Sequence, residues 1–147
     1  MKDRGIIQET GMFLERYKIY KLSDKLSNAS FILKLIKKLE GVKAVMLISI
    51  SDNVPISSIL PKGVNESKYA TMTIALFNLI QKACLGTNKG NFKLSYIEGE
   101  DGKLLVKHIN KGLILSISFD STISNDVVFN LYIKIIQLMD SPLSALI

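Results

Sequence analysis

Five short runs of branched and aromatic apolar residues, split two and three by one long helical stretch, constrain this chain most. They are Val42 to Ile50, Val54 to Leu60, Phe92 to Glu98, Lys103 to Ile109 and Leu113 to Phe119. Each has the length and composition of a β-strand. The first is apolar nearly throughout, as a central strand covered on both faces should be. Ser51-Asp52-Asn53 joins it to the second run as a tight turn, and Pro55 in that second run is tolerated best at a sheet edge. Gly99-Glu100-Asp101-Gly102 and Asn110-Lys111-Gly112 separate the last three runs and make them a meander of hairpins.

Three helices complete the pattern. One begins at Ser27 or Asn28 as cap and runs to Glu40, with Phe31, Ile32, Leu35, Ile36 and Leu39 on one side and Lys34, Lys37 and Lys38 on the other. Gly41 stops it. A second follows the break at Pro61-Lys62-Gly63, is capped near Asn65, and runs through Leu85, stopped by Gly86. The last spans about Ser124 to Met139 on Val127, Val128, Leu131, Ile135, Leu138 and Met139, with Pro142 beyond its end. The order α-β-β-α-β-β-β-α predicts an α+β fold: a five-stranded antiparallel sheet with helices on both faces. At 147 residues the chain is expected to hold one domain, residues 27–140, with a basic extension at 1–26 and a short tail at 141–147. In the extension Ile6, Ile7, Phe13, Leu14, Tyr17 and Tyr20 form a loose helical pattern interrupted by Gly11.

The net charge of +6 raises the question of an anionic partner, but the excess is local. Residues 1–43 hold ten Lys or Arg against five acids, and the remaining residues hold nine against eight. Of the 19 basic residues only two are Arg, and the basic segment lacks the interleaved aromatics of a single-strand binder. No nucleic-acid partner is expected. Cys84 is the only cysteine, which excludes an internal disulfide and fits a reducing, cytoplasmic setting. No apolar stretch approaches the ~20 residues of an integral membrane span.

Catalytic constellations are weak. His108, the only histidine, falls in a strand and is read as a strand or surface residue; Cys84 is read as a small apolar helix residue. Glu98, Glu100 and Asp101 surround a glycine-containing turn, where acids are ordinarily solvated. There is no glycine-rich phosphate loop with Lys and Ser/Thr. No enzyme activity, cofactor or metal is expected.

The middle helix carries more information. On a wheel at ~100° per residue, Tyr69, Met72, Leu76, Leu79, Ile80 and Ala83 form an arc expected to cover the sheet. A second arc gathers Ala70, Ile74, Phe77, Cys84 and Leu85, with Gln81, and needs another cover: the extension, or a second copy of the chain. Lys68, Thr71, Asn78 and Lys82 fill a narrow solvent sector and are candidates for contact with a further partner. The strand Phe92 to Glu98 begins the meander and is expected at the sheet edge, free to pair with its copy. The expected dimer interface is thus Ala70, Ile74, Phe77, Gln81, Cys84, Leu85, Phe92, Leu94 and Tyr96.

The segment Leu35-Ile36-Lys37-Lys38-Leu39-Glu40-Gly41-Val42-Lys43-Ala44-Val45-Met46-Leu47-Ile48 resembles the helix, Gly-Val and first strand of the roadblock family, named for the dynein light chains. Ser51-Asp52-Asn53-Val54-Pro55-Ile56-Ser57-Ser58 is similar to its acidic hairpin turn and second strand. Tyr96-Ile97-Glu98-Gly99-Glu100-Asp101-Gly102-Lys103-Leu104-Leu105-Val106 is similar to its late hairpin. The resemblance covers about Ser27 to Asp140, and departs from the family at Asn53, where a turn glycine is common, and in the added basic segment. It implies a roadblock/profilin-like fold, with the long helix on one face and two helices on the other. It also implies a homodimer, or a heterodimer with a paralogue, whose middle helices and edge strands meet to form one continuous sheet. The implied role is a non-catalytic regulator or scaffold for a small Ras-like GTPase, or alternatively a structural adaptor.

Overall fold

A computed structural model describes residues 29–110 and 112–139. The extension at 1–26, the expected cap at Ser27 or Asn28, Lys111 of the last turn, Asp140 and the tail lie outside these residues. The elements are α1 (29–37), β1 (Val42–Ser49), β2 (Val54–Ile59), α2 (Glu66–Gly86), β3 (Leu94–Gly99), β4 (Gly102–Asn110), β5 (Leu113–Asp120) and α3 (Asn125–Met139). All strand pairs are antiparallel, in the order β2-β1-β5-β4-β3. This is the α+β architecture expected from the order of elements.

Alternation along the central strands builds two cores. Val45, Leu47, Leu105, Leu115 and Ile117 point to one face, where they meet Ile32, Leu33 and Ile36 of α1 and Val128, Leu131 and Ile135 of α3. Met46, Ile48, Val106 and Ile114 point to the other and meet α2. β1 is therefore buried on both sides, which is why its sequence is apolar without alternation. β2 lies at one edge, and its register against β1 shifts between Leu47 and Ile48, opposite Ser57 and Pro55, so the proline sits at a bulge.

The turns follow their chemistry. Asn53 takes φ 55°, a left-handed conformation that asparagine tolerates in place of glycine. Asn65 caps α2 by accepting from Lys68 N at 2.9 Å. α1 ends earlier than Glu40: Lys38 and Leu39 donate to Leu35 and Ile36 carbonyls, three residues back, tightening the last turn before Gly41. Gly41, at φ +85°, lies against Ile123, and its carbonyl accepts from Asp120 N at 2.8 Å. Lys103, buried, donates its ammonium to the Ile123 carbonyl. Three distant segments are thereby joined at the start of α3.

Asp120 belongs to that junction. The Thr122 N–H, at 3.0 Å, is the main cause holding its carboxyl below the ordinary value, opposed by partial burial and assisted by Lys43 at 3.6 Å. A lowered folded-state pKa contributes stability that is complete above the unfolded value of about 4 and is lost as pH falls through the folded value. Urea titrations at pH 7 should therefore find Asp120→Asn less stable than wild type, with the gap closing below about pH 4; a gap independent of pH would refute this role.

Candidate interaction face

The helix α2 lies against the sheet with Ala70, Thr73, Ile74 and Phe77 buried. Ala70, Ile74 and Phe77 share one core with Phe92, Val106 and Ile114, and Phe77 meets Phe92 edge-on with ring centroids 5.7 Å apart. This corrects the arc assignment made from sequence. Three residues expected at a dimer interface, Ala70, Ile74 and Phe77, are internal core, whereas Met72 and Leu79, expected on the sheet, are 63 % and 67 % exposed.

The reason is that the two arcs are one. At ~100° per residue, apolar and small positions run without a break from Leu79 through Met72, Leu76, Ile80 and Phe77 to Ile74, an arc of roughly 220°. A sheet covers only part of that width. Polar groups within the arc are satisfied where they lie, so they do not prevent burial. Thr73 Oγ1 donates to the Tyr69 carbonyl at 2.8 Å, and Tyr69 Oη pairs with Ser118 Oγ at 2.6 Å. Gln81, also expected at the interface, is engaged within the chain: its Oε1 accepts from Phe92 N at 2.8 Å and its Nε2 donates to Asn91 at 3.1 Å. Phe92 is consequently buried ahead of β3 and not on its edge. Cys84 is half-buried against the same core.

Of the other expected residues, Leu85 is 52 % exposed, and Leu94 and Tyr96 are half-buried on the edge strand β3, packed toward the α1 and α3 face. Tyr96 donates to Asn125 Oδ1 at 2.6 Å, and burial, with the Glu98 charge second, holds its phenol above the ordinary value. Lys68, Thr71, Asn78 and Lys82 are all exposed, as expected.

What remains uncovered is the flank of α2 facing the free edge of the sheet. An open groove of ≈ 630 Å³ runs between Tyr69, Met72 and Leu76 on the helix and Ile97, Leu104 and Phe119 on the sheet, with Lys43 and Asp101 also lining it. Among the described residues β3 pairs only with β4, and its outer backbone groups meet no other strand there. Ile97 falls in the alternation with Lys93 and Ser95, opposite Leu94 and Tyr96, and lines the groove. An apolar residue on the polar side of a strand was the available signal that this side needs a cover.

The same surface carries little chemistry. Among the described residues no three His, Cys, Asp or Glu side chains gather as a metal site, and no buried side-chain polar atom lacks a partner. His108 is half-buried with its ring 6.2 Å from that of Phe77. No described helix is long and apolar enough to cross a membrane.

Comparison with known proteins places this geometry. The uncharacterised protein MJ0310 of Methanocaldococcus jannaschii is 29 % identical over 80 residues, covering 54 % of this chain and 69 % of that protein. Myxococcus xanthus MglB superposes with a TM-score of 0.72 at 16 % identity, over 83 % of this chain and 92 % of that one. The gliding protein MglB of Thermus thermophilus gives a TM-score of 0.68 at 17 % identity, over 78 % and 87 %. These two likenesses concern the fold. The family model of the Roadblock/LC7 domain matches residues 29–119, from the first described helix to the penultimate residue of β5, and the chain belongs to that family.

Proposed function

We propose that this chain is a non-catalytic platform that pairs with a second copy, or with a paralogue, through the exposed flank of α2 and the free edge of β3, and that the paired surface binds a small Ras-like GTPase. The observation that carries the reading is the continuity of Met72 and Leu76, the apolar groove and Ile97 beside an unpaired strand edge. Exposed apolar area of this kind beside open backbone groups is a liability in a monomer and an interface in a pair. β3 would add to its copy, making a sheet of ten strands, and the α2 flanks would close over the join.

In this arrangement Lys68, Thr71, Asn78 and Lys82 stay outside the join and are available to the GTPase. The sequence has no phosphate loop, and among the described residues no three His, Cys, Asp or Glu side chains gather; any influence on nucleotide turnover would come from binding one state of the GTPase better than the other.

Light scattering of wild type beside Leu79→Glu tests the pairing. Wild type should have twice the 16.4 kDa chain mass, and Leu79→Glu should be a folded monomer, since losing a central contact worth about 2 kcal/mol weakens association roughly 30-fold. A wild-type monomer would refute the pairing. Binding to GTP- and GDP-loaded Ras-like GTPases then separates the roles: unequal affinities mark a regulator, and equal affinities mark a structural adaptor.

A further inference from the structure

Helix α3 carries more apolar surface than its core uses. Val128, Leu131, Ile135 and Met139 are buried. At ~100° per residue they span about 80° of the helix wheel, and Tyr132, Ile136, Phe129 and Ile133 extend the apolar arc on one side to about 140° from Val128. No charged residue falls in that extension. Phe129 and Ile133, at its outer limit, are 43 % and 56 % exposed. Contact with β3 fixes its direction: the Phe129 ring lies 5.3 Å from that of Tyr96, whose hydroxyl reaches Asn125 at the start of α3. The exposed flank of α3 therefore points past the β3 edge of the sheet. Met72 and the groove do the same on the opposite face.

We propose that this flank is a third layer of the pairing interface, with Phe129 and Ile133 meeting the same residues of a second copy on the face of the sheet opposite α2. The inference rests on the pairing proposed above and adds a surface to it. Three observations select a second copy as the occupant. The flank is continuous, through Tyr96, with the strand edge assigned to the join. It lacks charge, so a twofold contact of the flank with itself brings no like charges together. The dimensions also agree: strands across a join lie about 4.8 Å apart and packed helices about 8–10 Å, so helices lying over the two edge strands come within packing distance. A join of α2 and β3 alone would leave Phe129 and Ile133 in water beside it.

Thiol reactivity in the full chain tests this, in a Cys84→Ser background that removes the one native cysteine. The thiol introduced by Ile133→Cys should react with a maleimide at least about tenfold more slowly in the dimer than in the monomer made by adding Leu79→Glu. Ile133→Asp should raise the dissociation constant of the dimer at least about tenfold, measured by light scattering on dilution, with the circular dichroism spectrum unchanged. Equal thiol rates in dimer and monomer would overturn the inference and leave the pairing intact, as would an Ile133→Asp dimer of undiminished affinity. A thiol shielded in both forms would show the flank covered within its own chain, and would overturn it too. A wild-type monomer would remove the pairing and this inference together.

Discussion

Phe77→Ala should lower the unfolding free energy by about 3–4 kcal/mol, and Phe77→Glu should leave no stably folded chain. The ring is buried between α2 and the sheet, edge-on to Phe92 and near His108, so truncation opens a cavity and also removes an aromatic pair. The buried residues around it, Met46, Ile48, Ala70, Ile74, Phe92, Val106 and Ile114, are all apolar, and the half-buried His108 is a single neighbour at the rim, too little to offset the desolvation of a carboxylate. Urea denaturation followed by circular dichroism measures the first substitution, and loss of the cooperative transition reports the second. Leu79 lies only two residues further along the same helix, yet Leu79→Glu should give a folded protein, because that side chain is 67 % exposed. If Phe77→Glu instead gave a folded monomer from a dimer, the orientation of α2 described above would be wrong.

Gly41→Ala should cost about 3 kcal/mol. Two independent causes add. The residue holds φ +85°, where an L side chain is disfavoured by roughly 1–2 kcal/mol, and a Cβ there would overlap Cδ1 of Ile123. Relieving an overlap in a packed site costs typically about 1–3 kcal/mol. The backbone cannot move away freely, because the Gly41 carbonyl holds Asp120 N and Ile123 is held in turn by Lys103. Gly41→Ala combined with Ile123→Ala should be destabilised by less than the sum of the two single changes, since the overlap is gone and only the backbone cost remains. Strict additivity in urea denaturation would exclude the contact as a cause.

The two residues illustrate how unevenly the structure could be read in advance. Gly41 was legible as a helix stop, because the end of an apolar helical pattern followed by glycine is a local rule. Its second role, leaving room for Ile123, was not, since that neighbour lies more than eighty residues away in sequence. Asn53 was likewise legible as a residue fit for positive φ, and Asn65 as a cap. Gly86 was expected to stop α2. It is instead the last residue of the helix, and the reversal beyond it is made by Asn88 at φ 61° and Gly90 at φ +81°, with Lys89 N bonded to the Cys84 carbonyl.

The candidate site divides in the same way. That α2 has more apolar surface than one sheet can cover was evident from its wheel, and so was the need for a further cover next to an edge strand. Which flank faces inward was not evident. The answer depends on Phe92 accepting a place under the helix, on Ser118 meeting the Tyr69 hydroxyl, and on Gln81 being engaged by the loop before β3. Each partner comes from elsewhere in the chain, and a rotation of α2 by one flank exchanges apolar residues of similar size without changing any local preference.

Element order, strand character and turn positions thus follow from short-range rules acting within a few residues: period, caps, and backbone freedom at Gly and Asn. The rotation of α2, and with it the division between core and exposed flank, follows from packing between segments far apart in the chain. That choice is made by fit and hydrogen-bond satisfaction at the helix–sheet contact, where side chains from β4, β5 and the loop before β3 meet the helix together.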